Sequence, residues 1–257
     1  MPYTISHVAA VVPFSRLLAR FRMLSAVVIG SMVPDFGYLL PKYPPRFETH
    51  SAIALVTFCL PMGMLLYWVF QRLMKAPLLS VLPDQAYARW QPYAAPASMA
   101  SLRQWVLAAC GVLLGAGVHL VWDAFTHEES RGARMFPELA DPLFVHGHLV
   151  TGAYILQGLS SLVGLLIVLG AIAYALRGSG HSTVVPRVLR HLERQTWVLV
   201  FAVVTLGLCV EFTIVEQPPR HFHLIWIGIV AIALLRALAL AALLVSLLMQ
   251  VYLRTKR

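Results

Sequence analysis

The sequence predicts an all-α fold, a polytopic membrane helical bundle of about five spanning helices with a short N-terminal re-entrant or half-length helical segment. Only 12% of the 257 residues are charged, about half of what a soluble domain uses to cover its surface. Hydrophobic residues make up 59% of the chain, and many fall in runs of about 20, the length a helix needs to cross a bilayer. We expect one membrane domain over residues 1–257, with a metal-site part at 1–165 and further spanning helices at 166–257.

The apolar runs follow one another along the chain. The first, residues 23–33, is cut off by Pro34-Asp35 after about 11 residues, which is too short to cross a membrane unaided. The stretch 76–102 contains four prolines and predicts an irregular connector. Five longer runs are the predicted spans, at residues 52–70, 104–122, 153–176, 197–215 and 222–253.

The net charge of +9 comes from basic residues beside the apolar runs, with no dense basic tract. This pattern is typical of the flanks of membrane spans, so membrane lipid is the expected partner and nucleic acid is not. On one side of the predicted topology lie 11 basic residues, and on the other side five. The excess predicts that the C-terminus of this multi-pass membrane protein lies in the cytoplasm. The side of the N-terminus and the oligomeric state stay open.

The sharpest chemical feature is His119-x-x-x-Asp123-x-x-x-His127 at the outward end of the second predicted span. Residues four apart on an α-helix differ by about 40° in direction and about 6 Å in height, so neighbours in this series can bind one ion. His119 and His127 are about 12 Å apart along the axis, which is too far for one ion to bind all three. We therefore expect His119 and Asp123 to chelate together, with His127 supporting them or binding a second metal.

Two further candidate ligands reach the same depth in the predicted topology. Asp35 follows the short apolar run, and His50 immediately precedes the first full span. Hydropathy alone predicts this convergence. Imidazoles combined with carboxylates suit Zn²⁺, or Mn²⁺ or Fe²⁺, better than Ca²⁺. For any one of these residues, an interfacial hydrogen bond remains the alternative.

Four motifs resemble a family of uncharacterised bacterial membrane proteins whose members typically open Met-Pro-Phe-Thr-x-Ser-His. The motifs are MPYTISH at 1–7, GSMVPDF at 30–36, THS at 49–51 and HLVWDAFTH at 119–127. That family looks related to the membrane-bound metal-dependent hydrolases, and their motif order is in turn similar to that of zinc-dependent phospholipase C. The resemblance covers residues 1–165 and departs from the phospholipase pattern, because no second His-x-x-x-Glu or His-x-x-x-Asp follows for a multi-metal cluster.

The resemblance implies a divalent metal site, with Zn²⁺ the expected ion. The implied ligands are Asp35, His50, His119 and Asp123, with His7 and His127 as nearby catalytic residues that move protons. The expected function is metal-dependent hydrolysis of a lipid-like or phosphodiester substrate at the outer membrane–water interface. Two alternatives stay open: a non-catalytic membrane protein with a structural metal site, and a transporter that uses Glu211 and Arg236.

Overall fold

The computed structural model describes residues 4–40, 44–91, 101–128, 130–145, 148–177, 188–215 and 223–256, and these are mostly helical. The α-helices are α1 (Ser15–Arg20), α2 (Leu24–Gly30), α3 (Arg46–Thr49), α4 (Leu60–Val69), α5 (Lys75–Ser80), α6 (Asp84–Trp90), α7 (Leu102–Thr126), α8 (Arg131–Arg134), α9 (Pro137–Ala140), α10 (Gly152–Leu176), α11 (His191–Val215) and α12 (His223–Thr255). Short 3₁₀ helices cover Thr4–Ala10, Val12–Phe14 and Val33–Leu39, and π-helical turns cover Leu55–Cys59 and Phe70–Met74. Strands β1 (Pro142–Val145) and β2 (His148–Thr151) pair antiparallel, with Leu143 opposite Val150.

Within the described residues, five helical stretches are long and apolar enough to cross a membrane. They are Leu55–Ser80, Leu102–Thr126, Gly152–Leu176, His191–Val215 and Ile229–Thr255. The predicted all-α bundle with five spans is therefore confirmed, and the chain is a multi-pass membrane protein by the length and composition of its helices. The start of the fifth predicted span, at residue 222, lies outside the described residues.

The prediction of an irregular connector at 76–102 is wrong over much of its length. Residues up to Ser80 continue the first span through α5, and α6 is also helical. Pro77 follows the π-helical turn Phe70–Met74, and the Leu73 carbonyl oxygen, which the missing N–H of Pro77 leaves free, accepts from Gln250 Nε2 at 2.9 Å. Pro83 precedes α6, and Asp84 places a negative charge in its first turn, where the helix dipole favours one. Residues 92–100 lie outside the described part of the chain.

The half-length segment predicted at 23–33 forms α2 and the following 3₁₀ helix, Val33–Leu39. The seven residues of α2 are about 10 Å long, a third of a bilayer core. The α-helix ends at Gly30, three residues before Val33-Pro34 begins the 3₁₀ helix. Proline has no N–H to donate, which explains why the α-helix does not continue through this point.

By its internal contacts the chain divides into two compact units, Met1–Tyr67 with Ser98–Ala173, and Trp68–Ala97 with Tyr174–Arg257. In the first unit, α2 packs closely on α7 because small residues line the contact. A Cβ on Gly111 would lie 2.7 Å from the Cβ of Ala26, and a Cβ on Gly115 would overlap the carbonyl oxygen of Val27. Such close backbone approach is typical of small-xxx-small helix contacts in membranes.

The N-terminal 3₁₀ helix, Thr4–Ala10, packs on α10 in the same unit. The Ser6 hydroxyl donates to the carbonyl oxygen of Ser161 at 2.7 Å. Gly164, one turn further on, leaves room for this approach, since a Cβ there would lie 2.8 Å from the Ser6 carbonyl oxygen. These contacts hold His7 against the helices of the first unit.

In the second unit, α11 and α12 pack along each other around a small apolar core of Leu189, Val245 and Met249. Glu193 accepts hydrogen bonds from Tyr252 at 2.8 Å and Lys256 at 2.6 Å near one end of this pair. These contacts stabilise the helix pair.

Candidate metal centre

The four side chains that the sequence nominates as metal ligands lie together in the first unit. His50 Nε2 is 3.3 Å from Asp35 Oδ1 and 3.6 Å from Asp123 Oδ2. His119 Nε2 is 3.8 Å from Asp35 Oδ1 and 3.5 Å from Asp123 Oδ2. Each histidine therefore presents Nε2 to both carboxylates. We refer to Asp35, His50, His119 and Asp123 as the four-ligand cluster.

His119 is oriented by a hydrogen bond from its other ring nitrogen. It lies on the buried face of α7, fully buried, and its Nδ1 is 2.8 Å from the carbonyl oxygen of Ser31. A carbonyl can only accept, so Nδ1 carries the proton and Nε2 keeps its lone pair for the cluster. The Ser31 carbonyl is available because Pro34 has no N–H and the Asp35 N–H bonds to Met32 instead. The Pro-Asp sequence thus places one ligand and also orients another.

His50 is oriented in the same way by its sequence neighbour. It follows α3, and its Nδ1 is 2.6 Å from the hydroxyl oxygen of Thr49. The Thr49 hydroxyl donates to the carbonyl oxygen of Arg46 at 3.3 Å, so its oxygen is left to accept from His50 Nδ1–H. This fixes the tautomer with an unprotonated Nε2 facing the cluster, as a metal-binding imidazole requires.

Asp123 connects the cluster to His7 and His127. Its Oδ2 faces the Nε2 atoms of His50 and His119, and its Oδ1 lies 3.6 Å from His7 Nε2 and 3.6 Å from His127 Nδ1. The His7 ring also stacks on the His119 ring, with 3.7 Å between ring centroids. The structure therefore brings all six residues predicted for the site together.

The four-ligand cluster and the adjacent His7 contain several buried polar atoms without hydrogen bonds. Among the residues that the structure describes, eight such side-chain atoms occur, and five of them belong to the cluster or to His7. The five are His7 Nδ1, His7 Nε2, Asp35 Oδ2, His119 Nε2 and Asp123 Oδ1. Leaving a buried polar group unbonded costs about 1–3 kcal/mol, so their concentration in one place calls for a ligand that satisfies several together. A cation is such a ligand, because most of these atoms carry lone pairs.

The donor set and its spacing fit a Zn²⁺-class ion. Tetrahedral Zn²⁺ with bonds of about 2.0–2.1 Å holds neighbouring donors about 3.4 Å apart. The four histidine–carboxylate separations within the four-ligand cluster range from 3.3 to 3.8 Å. Among the described residues, two triads that share His119 are close enough to hold a metal ion: Asp35, His50 and His119, and also His7, His119 and Asp123. Asp35 and Asp123 therefore belong to different triads, each grouped around His119.

The protonation of the groups outside the spans also suits cation binding. Burial lowers the pKa of His7 to about 4, helped by the neighbouring His119, so its imidazole is neutral near pH 7. Burial would raise the pKa of Asp35, but the adjacent His50 and His119 outweigh this and lower it. Metal ligands must be deprotonated, and both groups already are near neutral pH.

His127 lies immediately after α7, at the rim of the cluster. Its Nε2 is 3.0 Å from Gln157 Nε2, which donates, and its Nδ1 is 3.3 Å from the Asp123 carbonyl oxygen. Burial lowers the pKa of His127, although 21% of its side chain is exposed. His127 therefore lies between the buried Asp123 and the more exposed rim, and its predicted role in moving protons stays a prediction.

Sequence reasoning missed one charged residue of the site, Arg46. Its Nη2 donates to Asp123 Oδ2 at 2.6 Å, and its side chain is 40% exposed. From the sequence it counted only as a loop charge. Its position four residues before His50, in the same short stretch, was the signal that could have nominated it.

An apolar groove lies beside the cluster on the surface of α7 and α10. Its volume is about 770 Å³, and its lining includes Leu113, Gly117, Val121, Phe125 and Leu156. Trp122 lines the groove, and its ring also lies edge-on to His7, the neighbour of the cluster, with 6.0 Å between the ring centroids. The groove runs from Leu113 to Phe125, about 18 Å along the helix axis, close to the depth of one leaflet.

Comparison with known proteins gives a family but no activity. The model of a family described as a domain of unknown function, DUF4184, matches residues 1–247. No curated protein and no solved structure matches the chain.

Proposed function

The chain belongs to the DUF4184 family, a domain of unknown function, and from the site alone we propose that it is a membrane-embedded metal-dependent hydrolase. Its substrate in this proposal is lipid-like or a phosphodiester, met at the outer membrane–water interface. The distant similarity of its motifs to membrane-bound metal-dependent hydrolases and zinc-dependent phospholipase C agrees with this proposal.

One observation carries the proposal. Two oriented imidazoles, His50 and His119, each lie 3.3–3.8 Å from the two carboxylates, and Asp35, His50 and His119, from three separate stretches of chain, are grouped closely enough to hold one metal ion. A histidine that only stabilised a helix end would satisfy its nitrogens locally. Here the Nε2 of His119 is buried and unbonded, and its Nδ1 is committed elsewhere.

A bound Zn²⁺-class ion supplies Lewis acidity, which lowers the pKa of water and polarises the scissile ester or phosphoryl oxygen. The chain supplies the proton transfers. His127 is neutral and partly exposed, so it accepts a proton at the rim of the site. His7 is stacked on His119 with its Nε2 3.6 Å from Asp123 Oδ1, and the lone pair of its neutral imidazole is free to accept a proton during the reaction.

The apolar groove supports an amphiphilic substrate. A lipid chain lying along α7 would place its polar end near Trp122 and the cluster, at the end of the span. The excess of basic residues on the other side of the predicted topology would put this end of α7 at the outer leaflet, with the C-terminus in the cytoplasm.

A structural metal site is the second candidate function. The four-ligand cluster contains four protein donors, enough for the closed coordination of structural zinc, whereas a catalytic site keeps a position open. Co²⁺ substitution separates the two, because the absorption spectrum of a closed site does not respond to added anions and that of an open site does.

The first test is the metal content of detergent-purified protein. We expect about one Zn²⁺-class ion per chain in the wild type, and little in His119→Ala and Asp123→Ala, which each remove one of the four donors. His191→Ala is the matched control, since His191 begins α11 and contacts Arg194 rather than the cluster. Equal, sub-stoichiometric metal in all four proteins would refute the proposal.

If metal is present, hydrolysis is measured next with bis(p-nitrophenyl) phosphate and with phospholipid vesicles. We expect activity that a chelator removes and Zn²⁺ restores, and that His127→Ala lowers without loss of metal. Bound metal without hydrolysis of either substrate, together with an anion-insensitive Co²⁺ spectrum, would favour the structural site.

A further inference from the structure

Arg46 occupies the boundary between the buried cluster and its surroundings. It begins α3, its guanidinium bonds to Asp123 Oδ2, and its side chain is 40% exposed, compared with 4% for Asp123. The side chain of Tyr38 also interacts with it. Arg46 therefore places a positive charge between the buried carboxylate of Asp123 and the exposed surface.

The oxygen that Arg46 holds is one that a metal ion would use. Asp123 Oδ2 lies 3.5 Å from His119 Nε2 and 3.6 Å from His50 Nε2, and Arg46 Nη2 is 2.6 Å from the same oxygen. A divalent ion bound there must either share this oxygen with the guanidinium or displace it. In both cases the attraction between Arg46 and Asp123 weakens, and the guanidinium is held next to a second positive charge.

The charge balance of the filled site then favours a specific kind of substrate. Asp35 and Asp123 contribute two negative charges, and Arg46 contributes one positive charge. Adding a divalent cation to neutral imidazoles leaves a net charge of about +1 in a poorly solvated place, which is costly unless an anion joins. A phosphodiester supplies one negative charge, a phosphomonoester about 1.5 to 2 at pH 7, and a carboxylic ester or amide none.

Resting on the proposed function, we propose that Arg46 is the residue that binds the substrate's anionic oxygen beside the metal, and that it selects a monoanionic phosphodiester group. The guanidinium has five N–H donors in a planar fork that matches phosphate oxygens. One donor is on Asp123, so the fork keeps others for a phosphoryl oxygen. Arg46 thus shields Asp123 before the metal binds and contacts the substrate afterwards.

The test measures binding, so that it does not depend on turnover. Zn²⁺-loaded protein in a non-ionic detergent is titrated calorimetrically with dimethyl phosphate, a monoanion, and with trimethyl phosphate, its neutral counterpart. We expect dimethyl phosphate to bind the loaded wild type and trimethyl phosphate to bind at least 10-fold more weakly. Arg46→Gln should weaken dimethyl phosphate binding about 10- to 100-fold, the worth of a hydrogen bond to a charged group, with Arg46→Lys in between.

Zn²⁺ affinity of the same proteins separates this role from a structural one. Because Arg46 competes with the ion for Asp123, Arg46→Gln should bind Zn²⁺ as tightly as the wild type or more tightly. Arg131→Gln, which removes an exposed arginine from α8, is the matched control and should change neither measurement. If Arg46→Gln loses Zn²⁺, Arg46 supports a ligand and the substrate-binding role is overturned. Unchanged dimethyl phosphate binding in Arg46→Gln overturns it as well, whereas a wild type that binds no Zn²⁺ refutes the hydrolase proposal itself.

Discussion

Gly115→Ala should damage both the packing and the metal site, although it adds only one methyl group far from any ligand atom. The new Cβ would overlap the Val27 carbonyl oxygen and lie 2.6 Å from the Ser31 nitrogen. An ordinary contact needs about 3.4 Å, so α2 must move away from α7 by at least about 0.8 Å to clear the Ser31 nitrogen, and further to clear the nearer Val27 carbonyl oxygen. That movement would stretch the bond from His119 Nδ1 to the Ser31 carbonyl from 2.8 Å to about 3.6 Å or more, which is no longer a hydrogen bond.

Gly117→Ala provides the matched control for this change. It makes the same substitution two residues further along α7, where a Cβ would meet nothing within 4 Å. Both variants gain about the same helix propensity, roughly 1 kcal/mol, so the difference between them isolates the overpacking. We expect Gly115→Ala to be less stable than Gly117→Ala by about 1–3 kcal/mol. We also expect it to bind Zn²⁺ about 10- to 100-fold more weakly, the usual effect of losing the partner that orients a ligand.

Stability is measured by denaturant unfolding in detergent micelles, and Zn²⁺ affinity by competition with a chromophoric chelator. Equal stability of the two variants would refute the close α2–α7 contact. Lower stability with unchanged Zn²⁺ affinity would refute the argument that Ser31 orients His119 for the metal.

Two further predictions concern the neighbours of the cluster. Thr49→Val removes the hydroxyl that fixes the tautomer of His50, so Zn²⁺ affinity measured by chelator competition should fall about 10- to 100-fold. Thr49→Ser keeps the hydroxyl and should match the wild type. Equal affinities of the two variants would contradict the role of that hydroxyl. In metal-free protein, His7 has a pKa of about 4 when folded and 6.5 when unfolded, so the unfolded chain takes up the proton first as the pH falls. The contribution of His7 to the free energy of unfolding should therefore be constant above about pH 6.5 and decrease between pH 6.5 and 4 by at most about 3 kcal/mol. His7→Gln should flatten the unfolding free energy across that range, and an unchanged pH profile would show that His7 is not buried as a neutral imidazole.

The spans and the meeting of ligands were accessible from the sequence because both follow from hydropathy. Apolar length gives the number of crossings, and the order of crossings decides which helix ends share a leaflet. This was enough to bring Asp35 and His50 to the same end as His119. The i, i+4 spacing added that His119 and Asp123 share a helix face, which the structure shows as a buried stripe.

Other features depend on three-dimensional contacts that no local pattern records. Arg46 lies four residues before His50, but this spacing does not reveal its contact with Asp123, which only the structure gives. The hydroxyl of Thr49 and the carbonyl of Ser31 are common groups whose use depends on which imidazole is adjacent. The prediction of an irregular connector at 76–102 failed for a different reason. The backbone accommodates Pro77 after a π-helical turn, with the Leu73 carbonyl oxygen bonded to Gln250, and Pro83 lies just before α6.

The interruption between α2 and the 3₁₀ helix after it sets a limit on how this protein can be engineered. Replacing Pro34 to extend α2 is an obvious route to a sturdier scaffold, since a continuous helix satisfies its own backbone. Yet a regular turn would pair the Ser31 carbonyl with the N–H of residue 35 and withdraw it from His119. A substitution at Pro34 that raises thermostability would therefore disturb the orientation of His119. Thermostabilised variants should be tested for bound metal before they are used.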